Sequence, residues 1–141
     1  MIDVENQIFT KVYDAIQTAI STDSSFPRTV DVTSEWVKAP AHLPHVSVIE
    51  SDNYVDRNTR TSDEGENFAV LTYEVNVYSN LLTGKKTQAK KIFKVVDDAM
   101  RKMNFRRIAY QPVPNLMDAT IYRLFGRYQV NVDKNENLYR R

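Results

Sequence analysis

Residues 68–78 read "FAVLTYEVNVY", and the reading of this stretch decides the fold. Ala69, Leu71, Tyr73, Val75 and Val77 fall on one side of an extended chain. Phe68, Val70, Thr72, Glu74, Asn76 and Tyr78 fall on the other. Side chains alternate between the faces of a strand. One face here is wholly apolar and the other mixed, as in an antiparallel sheet covered on one side only.

The neighbouring segments repeat the pattern. "HVSVIE" (45–50) sets Val46 and Val48 against Ser47 and Ile49. In "ATIYRLFGRYQVNVD" (119–133), Tyr122, Leu124, Gly126, Tyr128, Val130 and Val132 share one face. Arg123, Phe125, Arg127, Gln129 and Asn131 share the other. A glycine inside a strand marks a bulge or a bend. "TVDVTSEWV" (29–37) predicts a short strand that reaches Trp36. "FRRIAYQPVPN" (105–115) predicts a strand cut short by Pro112 and Pro114. "KAPAHLPH" (38–45), with two prolines, predicts an extended connection.

Two segments carry a helical period instead. Over 3–21, Val4, Ile8, Phe9, Val12, Ile16, Ala19 and Ile20 make a stripe, with Asp3 as the expected N-cap. Over 84–103, Ala89, Ile92, Phe93, Val96, Ala99, Met100 and Met103 do the same. Thr83 is the expected N-cap and Asn104 the stop. Lys85, Lys86, Lys90, Lys91 and Lys94 lie off the stripe, as do Asp97 and Asp98, which predicts a solvated face. The expected fold class is α+β. A mainly antiparallel sheet of four to five strands carries two helices packed on one face. Residues 1–133 are expected to form one domain, with 134–141 as a flexible C-terminal tail.

One stretch fits neither period. "DNYVDRNTRTSDEGE" (52–66) is polar, alternates in charge sign and separates two strands. Loops of this length inside a compact domain carry function or are disordered. Drawn out as a hairpin it would extend roughly 20–25 Å past the sheet. A lone two-stranded hairpin is barely stable in water. Such an arm is therefore either disordered in the monomer or held by another chain.

Composition narrows the function classes. With 19 Lys+Arg against 18 Asp+Glu, the formal charge of +1 lacks the basic excess of a dedicated nucleic-acid binder. No cysteine is present, which excludes disulfides and thiolate zinc sites. No run of about 18 apolar residues suggests a membrane span. The N-terminus lacks the basic start and apolar core of a secretory signal, so the expectation is a soluble, cytoplasmic chain.

Catalytic signatures are equally sparse. The three glycines (65, 84, 126) have no phosphate-loop spacing, and "TGKKT" (83–87) lacks the upstream glycine of a Walker motif. His42 and His45 sit among prolines rather than on a helix with a third ligand. No glycine-flanked nucleophile is present. The expectation is a non-enzyme with no catalytic residues, no cofactor and no metal. What remains is surface. Arginine beside an aromatic is a common composition for an interface centre. The candidate interface residues are Tyr54, Asp56, Arg57, Arg60 and Glu64 in the arm, and Arg123, Phe125 and Arg127 on the last strand.

Three segments resemble a known family. "VKAPAHLPHVSVIESDNYV" (37–55), "LTYEVNVYSNLLTGKK" (71–86) and "PNLMDATIYRLFGRYQV" (114–130) are similar to the tail terminator, or tail completion, proteins of phages and prophages of Gram-positive bacteria. These proteins are often labelled minor capsid proteins. The resemblance implies a small α+β structural subunit forming a homo-oligomeric ring, usually a hexamer, that caps the head-proximal end of a tail tube. It implies as partners the chain itself, the tail tube protein, the sheath where one exists, and a neck or connector protein. It implies assembly in the bacterial host cytoplasm and a final place in the virion or phage-like particle. The alternative within the same setting is a head-closure or neck adaptor that contacts DNA without sequence specificity. The family supplies no catalytic residues.

Overall fold

The computed structural model describes residues 1–37, 40–55, 68–114 and 118–139. Two helices and six strands run in the order α1 (Glu5–Thr22), β1 (Asp31–Thr33), β2 (His45–Val55), β3 (Phe68–Ser79), α2 (Lys85–Lys102), β4 (Arg106–Pro114), β5 (Tyr122–Asp133) and β6 (Leu138–Tyr139). The strands form one sheet in the order β1-β2-β3-β5-β4, with β6 also paired to β5. Every pairing is antiparallel except that of β1 with β2. This is the α+β class expected from the alternation at 68–78.

The apolar face of β3 meets the helices as its pattern requires. Ala69, Leu71, Tyr73, Val75 and Val77 are buried in one cluster with Ile8, Val12 and Ile16 of α1 and Ile92, Phe93 and Val96 of α2. Leu124, Tyr128, Val130 and Val132 of β5 complete it. Gly126 lies on this face opposite Val75. A Cβ there would stand 2.5 Å from Phe93 Cζ, so the glycine makes room for that ring rather than for a bend.

The helix ends are set by short polar and left-handed signals. Asp3 Oδ1 accepts the Glu5 N–H at 3.1 Å, although the capping position itself is Val4. α2 starts after Gly84, whose φ of +85° suits glycine, and not after a Thr83 side-chain cap. It stops where expected, at Asn104 with φ +70°. The Phe105 N–H then reaches back to the Met100 carbonyl, the six-residue closure of a helix C-terminus.

Several expectations are corrected. β2 does not end at residue 50. It passes a bulge between Glu50 and Asp52 and stays paired with β3 through Val55. The first four residues assigned to an arm are therefore strand. Residues 56–67 lie outside the described residues, and with them the rest of that expectation. β4 is not cut by its prolines. Pro112 and Pro114 are two residues apart, so both missing donors lie on one side of the strand, and β4 has a partner only on the other. β1 stops at Thr33, leaving Trp36 in the following loop. Residues 134–139, expected to be loose, fold back as a hairpin whose second strand is β6. Asp133 holds that turn by accepting the backbone N–H groups of Asn135 and Asn137 and the hydroxyl of Tyr139.

Candidate functional site

No described helix lies on the second face of the sheet. Cross-strand register arranges that face in rows. One row runs His45, Tyr78, Arg123, Val113. The next runs Ser47, Asn76, Phe125, Gln111, and a third Ile49, Glu74, Arg127, Ala109. Then come Asp52, Thr72, Gln129, Arg106, and finally Tyr54, Val70, Asn131, Tyr139.

The structure brings Arg123, Phe125 and Arg127 together on this face, as the alternation of β5 requires. It also gives each arginine a partner the sequence did not show. Arg123 Nε donates to Asn76 Oδ1 at 2.9 Å. Its guanidinium carbon lies 5.3 Å from the Trp36 ring centre and 5.6 Å from that of Tyr78. Both distances are within cation–π reach. The Tyr78 hydroxyl donates to the Val37 carbonyl at 3.2 Å. The 34–37 loop is thereby tied down over one corner of the open face, with Trp36 still 61% exposed. Arg127 donates to Glu74 Oε1 at 3.0 Å and lies 5.4 Å from the Phe125 ring centre.

Tyr54 lies on the same face but not beside these residues. Its row is four β3 residues beyond Glu74, about 13 Å at the usual strand rise. At the far end of the same row, on β6, the Tyr139 ring stands 6.1 Å from that of Phe68. Asp56, Arg57, Arg60 and Glu64 lie outside the described residues.

Beneath the open face are two buried polar atoms with no hydrogen-bond partner among the described residues, Ser47 Oγ and Asn76 Nδ2. They sit on directly opposed residues of β2 and β3. Buried polar groups are normally paired, and an orphan calls for a further donor or acceptor. Beside them His45 is held by both ring nitrogens. Nδ1 faces Asp31 Oδ2 at 3.2 Å and Nε2 faces Thr33 Oγ1 at 3.1 Å. Burial lowers the imidazole pKa below its usual value, and Asp31 only partly opposes this. The ring is then neutral near pH 7, with Nδ1–H donating to the carboxylate and Nε2 accepting from the hydroxyl. Among the described residues no group of three or more His, Asp or Glu is placed to hold a metal.

Asp97 departs most from its expected role. It is buried, not solvated. Its Oδ1 accepts the Tyr128 hydroxyl at 2.7 Å and Arg107 Nη1 at 3.0 Å. Nothing in the local period of α2 shows this, because both partners come from β4 and β5. Burial first, and then the bond to the Asp97 carboxylate, push the Tyr128 phenol well above its usual range. The group is a structural tie between helix and sheet.

No protein-family model and no curated protein matches this sequence. No described helix is long and apolar enough to cross a membrane.

Proposed function

We propose that this chain is a structural assembly subunit that joins copies of itself into a ring at the head-proximal end of a phage or phage-like tail tube. In the terms of the family it resembles, it is a tail terminator or tail completion protein. The observation that carries this reading is the open face of the sheet. It presents Trp36, Phe125, Tyr54 and Tyr139 with two arginines, above two buried polar atoms that lack partners among the described residues. Aromatic residues and arginine are enriched in protein–protein interfaces. The similarity of segments 37–55, 71–86 and 114–130 to tail completion proteins supports the particular setting. The partners proposed are the chain itself, as a hexamer, the tail tube with any sheath, and a neck protein.

Electron microscopy of the purified chain mixed with isolated tail tubes tests the reading. Density capping one end of each tube is expected. Tubes left bare at both ends by a folded protein would overturn it.

A second reading, a neck adaptor that contacts DNA, is favoured by one feature of α2. Lys86, Lys90 and Lys94 are exposed and spaced four apart, so they share one stripe of the helix. Contacts of that kind to phosphate weaken steeply with salt. DNA binding that is absent at low salt would remove this reading.

A further inference from the structure

The two lateral edges of the sheet carry opposite charge. On the β1–β2 side, residues 1–9, 29–37 and 45–55 contain Asp3, Glu5, Asp31, Glu35, Glu50 and Asp52, and no lysine or arginine. On the β4 side, Arg101, Lys102, Arg106 and Arg107 line one open depression together with Asp98 and Phe105. The other acid there, Asp97, is already engaged by Tyr128 and Arg107.

The register sharpens this contrast. Glu50 pairs with Tyr73, Tyr73 with Tyr128, and Tyr128 with Arg107, so one row across the sheet has a carboxylate at one end and an arginine at the other. The adjacent row, on the open face, runs Asp52, Thr72, Gln129, Arg106 and ends in the same way. The two acids and the two arginines therefore stand at matching heights on opposite edges. β1 covers the outer edge of β2 only at His45–Ser47, which leaves the level of Glu50 and Asp52 without a strand partner among the described residues. The outer edge of β4 also has no strand partner among the described residues, and it exposes Ile108 and Tyr110.

We propose that copies of this chain join head to tail along the rows of the sheet, with Arg106 on the β4 edge of one copy meeting Asp52 on the β2 edge of the next. The inference rests on the ring reading above and names its lateral contact. Different surfaces meet in such a contact, so it propagates, and it closes into a ring when the rotation between copies permits. Charge complementarity fixes the register of the two edges and disfavours contact between like edges. Burial raises the Glu50 pKa, the bond from the Tyr73 hydroxyl opposes this, and Glu5 and Asp3 raise it further, so an incoming arginine would relieve a local excess of negative charge.

Asp52 and Arg106 make the cleanest test. Both are exposed, and neither supports the Asp97 tie inside the fold. The variants D52R and R106D, the double variant D52R/R106D and the wild type are compared by sedimentation over a range of concentration and salt, with circular dichroism as the folding control. Each single variant should self-associate at least about tenfold more weakly, and the double variant should recover most of that loss. The wild-type association should weaken with added salt. An equimolar mixture of the two single variants should also regain association, because alternating copies meet through one unaltered pair of edges and one charge-swapped pair. If the single variants assemble like the wild type, this contact is wrong while the ring reading stands. If the wild type is monomeric at every concentration, both are wrong.

Discussion

The Tyr128 hydroxyl, on the interior strand β5, donates to Asp97 Oδ1 on α2 at 2.7 Å, inside the contact between helix and sheet. Arg107 of β4 donates to the same oxygen at 3.0 Å. Three elements thus converge on one carboxylate that is only 8% exposed. D97A removes the acceptor and strands a buried phenol, and should cost about 2–4 kcal/mol. Y128F leaves Arg107 on the carboxylate and should cost about 1–2 kcal/mol. Urea unfolding of the two variants gives the order directly.

Gly126 is the second point at which helix and sheet fix each other. With Phe93 Cζ 2.5 Å from the position of an added Cβ, G126A overpacks the core and should destabilise by about 1–3 kcal/mol. F93L shortens the opposing side chain. In the double variant the alanine should then cost less than it does alone, a coupling that thermal unfolding of all three proteins measures.

His45 makes stability depend on pH. Its folded pKa is lowered, first by burial, so the unfolded chain takes up a proton at a higher pH than the native one does. Stability from this residue is complete above about 6.5 and is lost as pH falls from there toward the folded pKa. The groups facing the ring are Asp31, Thr33 and the edge-on Tyr78. H45Q retains polar contacts without the titration. Between pH 7 and 5 the wild type should lose more of its Tm than H45Q does, and equal losses would refute the assignment.

Arg123 should matter more to the fold than Arg127, although both lie on one strand face. R123A frees the buried Asn76 Oδ1 beside an Nδ2 that already lacks a partner among the described residues, and should cost about 1–3 kcal/mol. It also releases Trp36, the sole tryptophan, so the fluorescence of the variant should shift. R127A breaks an exposed pair with Glu74 and should cost less than about 1 kcal/mol.

The parts legible in the sequence are those set by local period. The alternation at 68–78 and 122–132 separates core face from open face, and the stripes of both helices match the buried residues. The rest is non-local. Residues 52–55 look like loop because they are polar, but β3 lies alongside to pair them. Pro112 and Pro114 look like breakers until β4 proves to be an edge strand with its missing donors facing outward. Asp97 resembles its exposed neighbour Asp98 because Tyr128 and Arg107 arrive from distant strands. In the candidate site, the grouping of Arg123, Phe125 and Arg127 follows from period two. Their engagement by Trp36, Asn76 and Glu74 depends on strand order, which the sequence does not display.

The central claim is that this chain is a ring-forming structural subunit. The molar mass of the purified protein as a function of concentration, by sedimentation with electron microscopy of the largest species, tests it most directly. The account predicts one closed oligomer, a ring of six, in equilibrium with the monomer. A folded protein that remains monomeric at the highest concentration reached, or that forms only a two-fold dimer, would contradict it.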